Sequence, residues 1–244
     1  MKLSGNTILI TGGSSGIGLA LAKRFMMLGN QVIISGRSAE KLNRIKNEIP
    51  GIATFCGDLS EKENLLQLQK FIQDEFPHLN ILINNAGIQY NYRLNEERDI
   101  LAKIDYELAC NLNAPIKLTS LLLPFLENQD HSAIVNVSSA LFMAPKKSAP
   151  VYCASKAALH NFTQSLRYQL EESKVEVHEI IPALIDTPMT AGRGKSKLSP
   201  DKLVDEFLDN FKAGKEESFI GKTKLLRMLL RVAPRKAQSL LKDA

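Results

Sequence analysis

The chain has 244 residues, a length that suits one large α/β domain, and 44% of them are apolar, which is enough for a sizeable core. The formal net charge of +5 is mild and favours anionic ligands, but nothing in it points to nucleic acid as a partner. No stretch approaches the roughly 20 continuous apolar residues of a membrane span, which argues against an integral membrane protein.

The three cysteines indicate a reducing environment. Cys56, Cys110 and Cys153 lie far apart and lack the spacing of metal ligands, so no metal site is expected. The sequence shows no signal peptide, so we expect free thiols and a cytoplasmic location.

Short runs rich in Ile and Val recur along the chain and are apolar on both faces, as in strands of a parallel sheet. They cover residues 7–11, 31–35, 80–84, 133–137 and 175–181, with a weaker run at 51–56. Amphipathic stretches with a helical period separate them, and no linker divides the chain before about residue 220. This alternation predicts an α/β fold: a single Rossmann-type, doubly wound parallel sheet flanked by helices.

The loop after the first run reads TGGSSGIG, residues 11–18, and is followed by an amphipathic helix. Glycines allow a sharp turn and close approach of a ligand, and the N-terminus of the helix favours a pyrophosphate. A dinucleotide would therefore contact Gly12, Ser14, Ser15, Gly16, Ile17 and Gly18. A plain tight turn is the alternative, because a lone glycine loop is a weak signal.

The second run ends in Gly36 and Arg37, where an acidic residue would bind the ribose 2′-hydroxyl of NAD. An arginine suits a 2′-phosphate, so we predict a preference for NADP(H), with NAD(H) still possible. A solvated arginine at the end of a strand is the alternative.

Further motifs follow in the order Asp58-Leu59, Asn84-Asn85-Ala86-Gly87, Asn111, Ser138-Ser139 and Tyr152-x-x-x-Lys156. With the glycine loop, they resemble the short-chain dehydrogenase/reductase family over roughly residues 5–190. The segments GNTILITGGSSGIGLALAKRF, NAGIQ and DTPMTAGRGK look like its DltE-like subgroup. The resemblance implies an oxidoreductase that passes hydride between a nicotinamide cofactor and a carbonyl or alcohol.

The resemblance also implies cofactor contacts beyond the glycine loop. Asp58 would bind the adenine amino group, although capping of a helix near Ser60 is an equal alternative. The remaining contacts would come from Leu59, from Asn85, Ala86 and Gly87 at the ribose, and from Pro182, Ile185 and Thr187 near the nicotinamide. A tight turn is the alternative for residues 85–87.

Tyr152 and Lys156 stand four positions apart, which on a helix places them on one face. A nearby ammonium lowers the pKa of a phenol, which we expect to make Tyr152 a usable acid–base group. By resemblance, Ser139 holds the substrate oxygen, with Ser138 as the competing candidate. The resemblance also implies that Asn111 distorts its helix and holds a water, and a mid-helix asparagine without a role is the alternative.

Residues 188–200 are basic and contain glycine, as in a mobile lid over a substrate. Arg193, Lys195 and Lys197 would then meet an anionic substrate, although a solvated loop explains them equally well. Phe142, Met143 and Pro145 are candidate pocket walls or core residues.

The C-terminal segment, residues 221–244, departs from the family pattern of a last strand followed by Asp-Gly-Gly. It is basic and amphipathic and is interrupted by Pro234. We expect this tail to pack on the domain or a partner subunit, with contact to a membrane surface as the alternative. Family analogy suggests a homodimer through the helices that contain Asn111 and Tyr152. A nucleotide-sensing regulatory protein and a membrane-surface scaffold are the alternatives to an enzyme.

Overall fold

The computed structural model describes residues 1–194 and 196–243, which contain a seven-stranded, entirely parallel sheet of order β3-β2-β1-β4-β5-β6-β7. The strands are β1 (Thr7–Thr11), β2 (Gln31–Gly36), β3 (Ala53–Cys56), β4 (Ile81–Asn84), β5 (Ser132–Val137), β6 (Val175–Pro182) and β7 (Glu217–Ile220). The strand order reverses direction between β1 and β4, so the prediction of a doubly wound sheet is confirmed.

Helices cover both faces of the sheet. They are α1 (Gly16–Met27), α2 (Ala39–Glu48), α3 (Lys62–Glu75), α4 (Ile100–Leu108), α5 (Ala114–Glu127), α6 (Pro150–Gln169), α7 (Pro200–Lys212), α8 (Thr223–Val232) and α9 (Pro234–Lys242). One core joins α1, α2 and α7 to the sheet, and a second joins α3, α5 and α6 to its other face. Along β1, Ile8 and Ile10 enter the first core and Leu9 enters the second, as the alternation of side chains requires.

The chain does have a last strand, β7, so the expectation that it departs from the family pattern in this respect is wrong. β7 pairs with β6 in parallel register, and its residues Phe219 and Ile220 are buried. Only four residues long, it begins with Glu217 and Ser218, so neither an apolar run nor a clear period marks it in the sequence.

The tail forms two helices, α8 and α9, which meet at Ala233-Pro234. Leu226 of α8 and Ala237 of α9 pack in one cluster with Ala140 and Ala144, which follow β5. Among helices in the described ranges, none is both long and apolar enough to cross a membrane.

Candidate active site

A cleft opens at the carboxyl ends of the strands, where the strand order reverses. Most of the residues proposed from sequence as cofactor contacts or as catalytic groups line it. They are Gly12, Ser14, Ser15, Gly16, Ile17, Arg37, Asp58, Leu59, Asn85, Ala86, Gly87, Tyr152, Lys156, Pro182 and Thr187. Four other proposed residues do not line the cleft, namely Gly18, Asn111, Ser139 and Ile185.

The glycine turn and the turn after β4 are packed backbone against backbone. Gly12 has φ +65°, and a Cβ placed there would stand 2.8 Å from the Cα of Ala86. Asn85 ties the turns together, because its Nδ2 donates to the carbonyl oxygens of Thr11 (2.9 Å) and Gly12 (3.3 Å). A Cβ at Gly18 would meet the same Nδ2 at 2.5 Å. Gly18 therefore serves the packing of the turn rather than the surface of the cleft.

At the opposite wall, Thr187 comes close to the glycine turn, since its Cγ2 would lie 3.0 Å from a Cβ at Gly16. Ile185 is buried and forms an isolated bridge with Leu198, which places it behind the cleft.

Asp58 and Arg37 meet through a residue that sequence reasoning missed. Tyr106 of α4 donates its hydroxyl proton to Asp58 Oδ2 (2.5 Å) and accepts a hydrogen bond from Arg37 Nη1. Asp58 Oδ1 accepts from the backbone N (3.0 Å) and Oγ (2.8 Å) of Ser60. Because α3 begins later, at Lys62, Asp58 fixes the preceding turn and is not the helix cap.

The charges of these groups follow from the contacts. Burial acts to raise the pKa of Asp58, but hydrogen bonds from Tyr106 and Ser60 outweigh it and hold the pKa below its ordinary value. Burial and the hydrogen bond to Asp58 raise the pKa of Tyr106. The phenol therefore stays protonated between a carboxylate and a guanidinium.

Asn111 lies in a π-helical turn, Ala109–Asn113, between α4 and α5, so the helix is distorted at this residue. The side chain is fully buried. Its Oδ1 accepts from the backbone N of Ile88 (2.8 Å), and its Nδ2 donates to Ile88 O (2.9 Å) and Ser155 Oγ (3.3 Å). Asn111 thus holds the loop that follows Gly87 of the cleft.

The side chains of Tyr152 and Lys156 meet at the end of β5. Lys156 Nζ donates to the carbonyl oxygen of Val137 (2.7 Å) and stands 5.8 Å from the centre of the Tyr152 ring. Ser139 forms a hydrogen bond with the Tyr152 side chain, whereas Ser138 Oγ points to Ile180 O at 3.5 Å. The contact with Tyr152 favours Ser139 over Ser138, although Ser138 is the one that lines the cleft.

The pKa of Tyr152 departs from the expected direction. Burial raises it to about 12, and the hydrogen bond with Ser139 only partly opposes this shift. Burial also lowers the pKa of Lys156 to about 8, against the charge of Glu179, which raises it. Desolvation dominates both pKa values because both side chains are almost completely enclosed.

Comparison with known proteins identifies the family of this chain. A family model described as short chain dehydrogenase matches residues 6–198. The chain belongs to the short-chain dehydrogenase family. It is 43% identical over 223 residues to the uncharacterized oxidoreductase DltE of Bacillus subtilis (strain 168), covering 89% of this chain and 88% of that protein. The resemblance to the family and to its DltE-like subgroup is thereby confirmed.

Solved structures agree on the short-chain dehydrogenase fold. A short chain dehydrogenase from Burkholderia cenocepacia J2315 in complex with NADP superimposes with a TM-score of 0.88 at 24% identity, covering 99% of each chain. A short chain dehydrogenase/reductase from Burkholderia phymatum in complex with NAD gives 0.85 at 18% identity, covering 100% of this chain and 99% of that chain. This short-chain dehydrogenase is accordingly an oxidoreductase that depends on a nicotinamide cofactor.

Two residues behind the short-chain dehydrogenase cleft were not foreseen. Glu179 of β6 is fully buried, and its Oε2 lies 2.8 Å from Nδ1 of His160. His160 stands on α6, one helical turn after Lys156. This contact raises the pKa of His160. Phe142 stacks on the His160 ring at 3.9 Å, so its role is packing. Ligand-type atoms of His160, Glu179 and Glu217 come within 4.8 Å of one another, a juxtaposition that no sequence spacing indicates.

Of the proposed lid residues, Arg193 Nη1 donates to Gln89 Oε1 (2.8 Å), and Lys197 Nζ donates to Thr190 O (2.7 Å) and to Asp186 (3.2 Å). Lys195 lies outside the described residues. The side chain of Met143 packs against the cluster that includes α8 and α9, and Pro145 is exposed.

Proposed function

We propose that this protein is an NADP(H)-dependent oxidoreductase that interconverts a carbonyl compound and the corresponding alcohol. The observation that carries the proposal is the hydrogen bond between Ser139 and Tyr152 beside Lys156, where the strands end. A regulatory protein that only senses a nucleotide needs no such set of groups, so this alternative is weaker.

The cleft fits a dinucleotide on two grounds. Its glycine turn has no side chain at Gly12 and leads into the N-terminus of α1, which suits a pyrophosphate. Its far end presents Arg37 and Asp58, which suit a 2′-phosphate and an adenine amino group respectively. When bound, the cofactor supplies or accepts the hydride at the nicotinamide end.

Tyr152 holds the proton that the substrate oxygen gains or loses. Its raised pKa keeps the phenol protonated near neutrality, the state that a proton donor needs. Ser139, already within hydrogen-bond reach of the phenol, stabilises negative charge on the same oxygen. As the reaction proceeds, Lys156 stabilises the phenolate that forms when the proton leaves.

Asn111 supports this site through the loop at Ile88, and we propose that it also helps to relay the proton from Lys156 towards solvent. The Lys156 ammonium has Glu179 as its electrostatic partner. A pKa of about 8 allows Lys156 to exchange its proton near neutral pH.

The preference for NADP(H) is tested by titrating the protein with NADPH and with NADH while following nicotinamide fluorescence. Because Arg37 presents a cation where NAD-specific enzymes carry an acid, we expect NADPH to bind at least about tenfold more tightly. Equal affinities would refute the preference, and no binding of either would refute the enzyme assignment.

The catalytic assignment is tested by comparing wild type with Tyr152→Phe on a panel of aldehydes and ketones. The variant should lose about 10²- to 10⁴-fold in kcat, the usual contribution of a general acid, while NADPH affinity stays within about twofold. Ser138→Ala is the matched control for Ser139→Ala, and only the latter should lower kcat strongly. Full activity of Tyr152→Phe would remove Tyr152 from the chemistry.

A second role, contact with a membrane surface, is favoured by one face of α8. Leu225, Met228 and Val232 recur at helical spacing and are 53%, 60% and 75% exposed, with Arg231 and Arg235 exposed beside them. Apolar side chains flanked by cations suit an anionic bilayer surface. Cosedimentation with phosphatidylcholine vesicles, with and without phosphatidylserine, tests it. Binding should need phosphatidylserine and vanish when the three apolar residues become Gln.

We propose a homodimer through α4, α5 and α6, by family analogy and because Leu101 of α4 and Tyr168 of α6 are exposed apolar residues. Equilibrium sedimentation should give a dimer for wild type and a monomer for Leu101→Glu. A cytoplasmic location is supported by Cys56, Cys110 and Cys153, which are all free thiols.

A further inference from the structure

Tyr106 bridges two charged residues at the adenosine end of the cleft. Its hydroxyl oxygen accepts from Arg37 Nη1, and its proton goes to Asp58 Oδ2 at 2.5 Å. Arg37 Nη1 and Asp58 Oδ2 themselves stand 4.0 Å apart, beyond a direct hydrogen bond. The two charges therefore form only a loose ion pair, and the phenol occupies the space in which a hydrogen-bonded pair would otherwise form.

This arrangement leaves the charge of Arg37 available. A guanidinium carries five N–H donors, and the contact with Tyr106 engages Nη1 only. The Arg37 side chain is 53% exposed and lines the cleft. A neutral hydroxyl as acceptor leaves more of the cation's charge to the cleft than a hydrogen-bonded pair with Asp58 would.

The carboxylate is fixed as well, because Ser60 holds Oδ1 of Asp58 from the other side. Arg37 also stands 5.8 Å from the centre of the Tyr106 ring, within the range of a cation–π contact. The ring and the hydroxyl of Tyr106 thus both restrain the guanidinium, from a helix that is remote in sequence from β2 and β3.

We propose that Tyr106 is a positioning residue for cofactor preference: it aims Arg37 at the 2′-phosphate of NADP(H) and keeps it apart from Asp58. This inference rests on the proposed function. Without the hydroxyl, Arg37 can turn to Asp58 and tighten the loose ion pair into a hydrogen-bonded one, which withdraws its charge from the cofactor. NADPH should lose affinity as a result, whereas NADH, which has no 2′-phosphate, should not.

Tyr106→Phe tests the inference because it keeps the ring and removes only the hydroxyl. NADPH and NADH are titrated separately by nicotinamide fluorescence, and 2′,5′-ADP against 5′-ADP is measured by calorimetry to isolate the adenosine end. The Kd for NADPH should rise about tenfold, as for loss of a hydrogen bond to a charged group, with NADH within about twofold. Tyr90→Phe, which also removes one phenolic hydroxyl but at a residue outside the cleft lining, is the matched control and should change neither.

A double-mutant cycle separates positioning from general support of the fold. If Tyr106 acts through Arg37, Tyr106→Phe should add little to Arg37→Leu, and the two losses of NADPH affinity should not multiply. Equal weakening of NADPH and NADH, unchanged NADPH affinity, or multiplied losses would each overturn the inference. A wild type with the same affinity for both cofactors would overturn the proposed preference itself, and this inference with it.

Discussion

Replacement of Asn111 by alanine should loosen the loop that follows Gly87 at the cofactor end of the molecule. The side chain satisfies both backbone groups of Ile88, accepting from its N–H at 2.8 Å and donating to its carbonyl at 2.9 Å. In Asn111→Ala both groups lose their partner, and the π-helical turn loses its anchor to the loop after β4.

The magnitude follows from these two groups. Each group lowers the free energy of unfolding by about 2 kcal/mol when it is left without a partner. The higher helix propensity of alanine raises it by about 0.5 kcal/mol. The free energy of unfolding should therefore fall by about 3.5 kcal/mol. For a chain of this size each kcal/mol lowers Tm by about 2–4 °C, so we expect a decrease of about 7–14 °C.

Thermal unfolding followed by circular dichroism measures this decrease. An NADPH titration measures whether the loop that carries Gly87 still binds the cofactor with the wild-type affinity. Ser155→Ala is the control, because it removes only the longest contact of Asn111, at 3.3 Å, and should cost about 1 kcal/mol. Asn111→Asp keeps the acceptor for the Ile88 N–H, so its free energy of unfolding should lie between those of Asn111→Ala and Ser155→Ala. If Asn111→Ala unfolds within about 2 °C of wild type, the assumed cost of the two unpaired groups is wrong.

Two further changes test the glycine turn and the electrostatics behind the cleft. Gly12→Ala should weaken NADPH binding at least about tenfold, because its Cβ would meet the Cα of Ala86 at 2.8 Å. Gly5→Ala, with φ +73° and open space around it, shares the backbone penalty but should leave binding unchanged. Glu179→Gln removes the charge that raises the pKa of Lys156, so that pKa should fall below about 8 and the alkaline limb of the kcat–pH profile should move to lower pH. An unmoved limb would mean that Lys156 does not limit turnover there.

Local sequence features were sufficient for the architecture and for the glycine turn, and the family resemblance supplied most of the other residues around the cleft. Strands that are apolar on both faces and alternate with amphipathic helices are compatible with very few folds besides a doubly wound parallel sheet. The glycine turn is also local, since a strand followed by glycines and a helix forms within one stretch of chain. Likewise, the spacing of Tyr152 and Lys156 on one helix face needs only the helical period.

Tertiary structure alone decided what touches these residues. Tyr106 lies 48 positions from Asp58 and 69 from Arg37, and Glu179 lies 19 from His160, so no periodic pattern connects them. β7 is recognisable only beside β6, because four residues carry too little pattern of their own. The pKa values also depend on burial, and the enclosure of Tyr152 reversed the direction expected from its neighbouring ammonium. Spacing along a helix determines which side chains share a face, but packing between elements determines their partners and how much water they lose.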